Sequence, residues 1–246
     1  MWQSFTERIW GERMKKTTLF SLIMLLAFIP ATLFLGTQLR GRWHYLTSTL
    51  VIIEAMLPFF FTFESRRPQA RELVMIAVMA ALAVAGRVVF PVPNFKAITG
   101  IVMIAGMAFG PQAGFMTGAI SAFASNFFYA QGPWTPWQMM AYGMGGFLAG
   151  VLFCKKAGEK NRMGLIWQTV FAFLAVFLMV GPLLDACTLF TTGGKLTWRY
   201  ACAVMLAGLP HNVIHGASTA ATVLLLSRPL LKKLSRVKVK YGMMEE

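Results

Sequence analysis

Seven stretches of this chain are apolar over 17 residues or more, close to the ~20 that a helix needs to cross a bilayer. They cover residues 17–36, 44–63, 72–90, 114–130, 137–153, 165–184 and 198–226. Of the 246 residues, 57% are hydrophobic and only 13% charged. One soluble core of this size cannot enclose so much apolar surface, so lipid must cover the remainder. The predicted fold class is an all-α integral membrane bundle.

An eighth run, 97–109, is short. At about 1.5 Å per residue it covers roughly two-thirds of a hydrocarbon core, and Pro111 follows it. Loop charge bears on whether it crosses. With eight crossings, 17 of the 23 Lys and Arg residues fall on one side, in segments 1–16, 64–72, 110–113, 154–164 and 227–246. Six fall on the other: Arg40, Arg42, Arg87, Lys96, Lys195 and Arg199. Without that crossing, the basic C-terminal segment would move to the cation-poor side, against the positive-inside rule. The run therefore reads as a short, tilted or broken helix. Both termini are expected in the cytoplasm of a bacterial cell.

The net charge of +14 does not point to nucleic acid. The cations sit in clusters between apolar runs, as at Arg66-Arg67 and Lys155-Lys156, which is how loop charge orients a membrane protein. Arg13, Lys15 and Lys16 precede the first run as in a signal peptide, but no small-x-small cleavage site follows. A retained anchor is expected. Cys154, Cys187 and Cys202 form no disulfide framework, although Cys187 and Cys202 fall near the same expected outer end.

The polar segment Glu64-Ser-Arg-Arg-Pro-Gln-Ala-Arg-Glu72 divides the chain. Before it the helices are rich in Leu and Phe; after it Gly and Ala abound. The expected organisation is a two-helix membrane extension at 1–66, a six-helix core at 67–234 and a cytoplasmic tail at 235–246.

Small residues recur at helical spacing. Gly106, Gly110, Gly114 and Gly118, and Gly146 with Gly150, allow close helix approach in lipid. Ala77, Ala81 and Ala85 share one face of the third helix. That face serves either internal packing or docking of another membrane protein.

Polar groups inside apolar runs are costly and tend to face a cavity or a partner. They include Glu54, Asn126, Asp185, His211, Asn212 and His215. His211 and His215, four apart, are expected to point the same way. A zinc protease would need His-Glu-x-x-His, but here Asn212 holds the Glu position. No metal site is expected. A serine protease would need Gly-x-Ser-Gly, and Ser121 is followed by Ala122. Catalysis has weak support.

The segment Asn126-Phe-Phe-Tyr-Ala-Gln-Gly-Pro-Trp-Thr-Pro-Trp-Gln138 joins two helices on the expected outer side. Its rings read either as an interface belt or as the walls of a site. A Pro-stiffened loop offering Tyr129, Trp134 and Trp137 with Asn126, Gln131 and Gln138 suits a planar or bulky polar organic ligand. Arg87, Asn94, Phe95 and Lys96 lie in the neighbouring outer loop, and Asp185 and Trp198 flank the last one. These residues, with His211 and Asn212, are the candidate binding set.

The stretch 71–226 resembles a substrate-binding S component of an energy-coupling factor (ECF) vitamin transporter. The resemblance rests on the six-helix core and the Ala77, Ala81, Ala85 face. It rests also on Phe95-Lys-Ala-Ile-Thr-Gly100, Gly110-Pro-Gln-Ala-Gly114, Gln131-Gly-Pro-Trp-Thr-Pro-Trp-Gln138 and Leu209-Pro-His-Asn-Val-Ile-His215. It implies a membrane subunit that captures a vitamin outside and hydrolyses nothing itself. It also implies partners: a transmembrane coupling subunit, met by the Ala face, and two cytoplasmic ATPases. No covalent cofactor is implied. The aromatic, amide-rich loop puts cobalamin or a related corrinoid first and a flavin or another vitamin next. Nickel and cobalt members begin with Met and His, whereas this chain begins Met-Trp-Gln-Ser, so a free metal ion is not expected. The resemblance assigns no role to the two N-terminal helices. The competing expectation is a membrane scaffold or receptor subunit without a small ligand.

Overall fold

The computed structural model describes residues 19–21, 23–38, 43–90, 92–154, 162–191 and 197–241. Among them every regular element is helical. The chain forms two compact units, Met1–Pro68 and Gln69–Glu246.

In the first unit, a π-helical turn Met24–Phe28 leads into α1 (Ile29–Gln38), which pairs with α2 (Trp43–Ser65). Thr32 Oγ1 donates to Glu54 Oε1 at 2.6 Å, which supplies the in-membrane carboxylate of α2 with one partner. The rings of Phe20 and Phe61 meet at 4.1 Å.

The second unit holds α3 (Ala70–Val88), α4 (Ile98–Phe109), α5 (Pro111–Tyr129), α6 (Trp134–Phe153), α7 (Arg162–Ala175), α8 (Gly181–Thr191) and α9 (Trp198–Tyr241). A π-helical turn, Val176–Val180, joins α7 to α8. The resulting rod is the most apolar long span of the unit. The sequence expectation ends this span at 184; it extends to Thr191. Likewise α9 continues past 226 and 235 to Tyr241, through Pro210 and Pro229. Residues 242–246 lie outside the described set, as do Lys155, Lys156 and Lys195.

The marginal run is a true helix of 12 residues, and α4 is almost wholly buried. Its neighbours make it so. Gly106 of α4, Gly114 of α5 and Gly146 of α6 pack backbone on backbone, and Gly150 lies against the Gly110-Pro111 turn. A Cβ on Gly146 would stand 2.7 Å from the Gly114 carbonyl carbon. This is the small-residue packing expected where no hydrophobic force drives helices together. Gly110, at φ 95°, takes a backbone conformation that other residues adopt only with strain, and Pro111 opens α5 at its first position. These contacts hold the 106–114 ends of α4 and α5 flush with the 146–153 end of α6.

Most of the length by which α5 and α6 exceed α4 therefore falls at its other end. Gly145 of α6 faces Thr99, Met103 and Val180. With Gly106 beside Gly146, the head of α4 at Ile98 is level with residue 138, and residues 134–137 continue beyond it, about 6 Å of helix. Helices α5 and α8 overhang in the same direction. Side chains of α5, α6, α8 and α9 meet above the head of α4, and this end of the bundle is called the recess below.

Helix α3 packs through Ile76, Met79, Ala80 and Ala83, while Ala77, Ala81 and Ala85 are exposed. The glycine layer and the Ala face thus divide the two packing roles. A Gly146→Ala substitution is expected to lower the melting temperature of the detergent-solubilised protein, at an overpacking cost of about 1–3 kcal/mol. Gly145→Ala, whose Cβ would meet only ordinary contacts of 3.4–3.6 Å, is expected to be tolerated. Equal melting temperatures for the two variants would contradict the structural role given to the glycine layer.

Candidate functional site

The overhanging end of the bundle carries most of the candidate residues, but they do different jobs. Arg87, at the last turn of α3, donates from Nη1 to Ser125 Oγ (2.5 Å) and Asn126 Oδ1 (3.0 Å). Its guanidinium carbon lies 4.8 Å from the centre of the Tyr129 ring. Tyr129 in turn donates its hydroxyl to the Arg87 carbonyl at 3.0 Å. Lys96 Nζ stands 5.7 Å from the same ring and donates to the Phe90 carbonyl. Arg87, Tyr129 and Lys96 therefore clasp the 89–97 loop to α5.

That loop is seated from below as well. Ala97 N–H bonds the Gly86 carbonyl, and Ser218 Oγ donates to the Lys96 carbonyl at 3.0 Å. Asn94 occupies the left-handed region at φ 58°, which Asn tolerates better than most residues. Its contribution is turn geometry. Phe95 packs edge-on to Phe90 at 6.0 Å.

The aromatic loop is largely self-satisfied. Asn126, fully buried, donates from Nδ2 to Thr135 Oγ1 at 2.9 Å. Thr135 also accepts from the Gly132 N–H and donates to Gln131 Oε1. Gln131 Nε2 donates to the Phe123 carbonyl, and Trp134 Nε1 to the Ala130 carbonyl. Asn126, Gln131 and Trp134 thus spend their polar groups holding the α5–α6 turn in shape, with Ala130 at φ 72°. Phe127 and Phe128, 70% and 69% exposed, face outward as a belt would.

Trp137 and Gln138 differ from the rest of the loop. Both begin α6 inside the recess. Trp137 is 5% exposed, and its ring stacks on Phe190 of α8 at 5.8 Å. Its Nε1 and the Oε1 of Gln138 are buried without a hydrogen-bond partner. An orphaned buried polar atom costs about 1–3 kcal/mol, so a neighbouring pair of them calls for an explanation.

One turn below, on the face of Gln138, lies Tyr142. Its ring meets His215 of α9 edge-on at 6.0 Å, and His215 Nε2 is 2.9 Å from Thr99 Oγ1 at the head of α4. One turn above His215, Asn212 donates from Nδ2 to Asp185 Oδ2 of α8 at 2.7 Å. Gly181 and Gly208 leave the space for this pair: a Cβ on either would collide with Asn212 or Asp185. Asn212 and His215 therefore share the buried stripe of α9. His211 does not. The expectation that His211 and His215 point the same way is corrected, because His211 is exposed and its Nδ1 lies 3.4 Å from the Ala207 carbonyl. Residues four apart are offset by about 40°, which is enough to divide them at the edge of a helix face. Trp198, 84% exposed at the start of α9, stands apart from the cluster. Cys187 and Cys202 are free, as is Cys154.

Thr99 and Tyr142 escaped sequence reasoning, which also left His215 out of the binding set. Tyr142 had a legible signal, since it lies four residues after Gln138 on the same helix. Thr99 had none, because its partner is 116 residues away. The recess chemistry is thus aromatic and neutral-polar: Trp137, Gln138, Tyr142, Phe190, Thr99, His215 and Asn212, with one carboxylate at Asp185.

A second feature lies on the outer flank of α3. Ala77, Ala81 and Ala85, with Val84 and Val88, face Ile120, Ala124 and Phe128 of α5 across a groove of about 570 Å³. Its lining is almost entirely apolar.

Residues 68–235 match the family described as the ECF-type riboflavin transporter, S component. No curated protein and no solved structure gives a significant match. The matched region covers well over half of the chain, from the start of α3 into the basic end of α9. The protein belongs to the ECF S-component family: it is a multi-pass cell-membrane subunit that binds a vitamin for transport, and it is not an enzyme.

Proposed function

We propose that this chain captures riboflavin in the recess above α4 and delivers it inward with a coupling subunit and two ATPases. The observation that carries the reading is the orphaned pair, Trp137 Nε1 and Gln138 Oε1. A buried donor and a buried acceptor on successive residues of α6 match the pyrimidine edge of an isoalloxazine in kind, since that edge alternates carbonyl acceptors with an N–H donor. The stacked Trp137 and Phe190 rings offer a flat apolar wall for the tricyclic system. Asn212, Asp185, His215 and Thr99 offer hydroxyl-binding groups for a ribityl chain. The family match to riboflavin transporters supports the same ligand.

Loop chemistry read from the sequence alone puts a corrinoid before a flavin. The family match favours the reverse order, and so does the economy of the aromatic loop. Gln131, Trp134 and Asn126 brace the turn, which leaves fewer free amides for a large ligand.

In this reading the recess opens outward, both termini lie in the cytoplasm, and the exposed Ala77, Ala81, Ala85 face meets the coupling subunit. Apolar, small-residue grooves admit another helix closely in lipid. The extended clasp of Arg87, Tyr129 and Lys96 fixes the loop over the recess.

Three outcomes test the proposal. Riboflavin is expected to raise the melting temperature of the purified protein while cobalamin leaves it unchanged; stabilisation by cobalamin alone would reject the flavin assignment, and no response to any vitamin would favour the scaffold reading. Gln138→Ala and Trp137→Phe are each expected to weaken riboflavin binding by about three- to tenfold, the worth of one neutral hydrogen bond. Wild-type affinity, read by flavin fluorescence quenching, in both variants would mean that the orphaned atoms are not ligand groups. Finally, Ala81→Trp is expected to abolish vitamin uptake by whole cells and leave binding intact; sustained uptake would show that the Ala face is not the docking surface.

A further inference from the structure

The last fourteen described residues of α9 carry a feature that ligand capture does not use. Arg228, Lys232, Arg236 and Lys240 recur every four residues and are exposed, and Lys233 is exposed beside them. The opposite side of this stretch, Leu231 and Leu234 with Ser227 just before it, is buried. No Asp or Glu occurs anywhere in α9, and no ion pair is formed by these cations among the described residues.

The depth of this ladder follows from two registers. Gly86 of α3 meets Ala97, and Ser218 of α9 meets the adjacent Lys96. From that common level, α3 runs 15 residues back to Arg71, about 22 Å, whereas α9 runs 23 residues on to Tyr241, about 34 Å. Yet the two helices meet again at their far ends: Arg71 Nη1 donates to the Tyr241 carbonyl at 3.0 Å, and its guanidinium lies 5.9 Å from the Tyr241 ring. The longer path ends beside the shorter one because α9 is tilted relative to α3 and the Arg71 side chain reaches out to it. Pro229 removes one helical hydrogen bond at the start of that segment. The end of the ladder therefore stays within reach of the Arg71 side chain at the start of α3 and does not project far from the bundle.

We infer that this cation ladder binds the headgroups of anionic phospholipids. Cations at four-residue spacing along a segment that stays close to the bundle meet phosphates one after another, and the buried Leu231 and Leu234 keep the charged side turned to the lipid. Juxtamembrane Lys and Arg attract anionic lipid over about a Debye length. The inference uses the membrane location but not the identity of the transported vitamin.

The test uses the full chain in mixed micelles of phosphatidylglycerol and phosphatidylcholine. After exchange into lipid-free detergent, the retained lipid is measured by mass spectrometry. Wild-type protein is expected to retain several times more phosphatidylglycerol than phosphatidylcholine and to lose the excess in molar salt. The combined Arg228→Gln, Lys232→Gln, Arg236→Gln and Lys240→Gln variant is expected to retain the two equally and to keep the wild-type melting temperature in detergent. Arg228→Lys with Arg236→Lys should behave as wild type, and stands in for charge if the Gln variant does not fold. Equal retention by the wild-type protein overturns the inference. So does a Gln variant that keeps the phosphatidylglycerol excess; if that variant also fails to co-purify with the ATPases, the ladder is a protein-docking surface instead.

Discussion

Backbone contact among three glycines governs this bundle. Gly106, Gly114 and Gly146 bring α4, α5 and α6 close enough that no side chain fits between them. Because the contact lies near one end of each helix, it fixes where the length difference must appear. Twelve residues in α4 against 19 and 20 in α5 and α6 would otherwise distribute between both ends. Here most of it falls at one, the end where Trp137 Nε1 and Gln138 Oε1 are buried without a partner. A fold held by side-chain interdigitation would have more freedom to slide. Backbone seated directly on backbone has little.

The same economy separates the functions of α3. Its buried side, Ile76, Met79, Ala80 and Ala83, packs inward. Its small exposed side forms a groove with α5. Its last turn supplies Arg87, which ties α5 and the 89–97 loop together through Ser125, Asn126 and Tyr129. One helix thus borders an apolar groove and anchors the loop that follows it. A displacement of α3 would be felt at both.

In the recess, groups that are satisfied and groups that are not lie side by side. Asn126, Thr135, Gln131 and Trp134 close on each other and stiffen the turn between α5 and α6. Trp137 and Gln138, the next residues into α6, are left open. Buried polar networks are costly when half-made, so the braced turn and the open pair differ in kind and do not form one uniform surface. Asp185 and Asn212 pair with each other on the α8–α9 side, where Gly181 and Gly208 make room for them.

The sequence by itself determined the membrane class, the short central helix, the polar break before the core and the family resemblance. Each of these depends on local composition or on spacing along one helix, as with Ala77, Ala81 and Ala85. It also marked the 126–138 segment as unusual. Only tertiary structure decided which of those residues brace and which stand open, because that depends on partners such as Phe190, Thr99 and Phe123 in other segments. It separated His211 from His215, since residues four apart are offset by about 40° and the bundle boundary falls between them. It also set the slant of α9, because the helical period gives the length of a helix but not its direction. Direction came from two distant contacts, Ser218 with Lys96 and Tyr241 with Arg71, that no local pattern encodes.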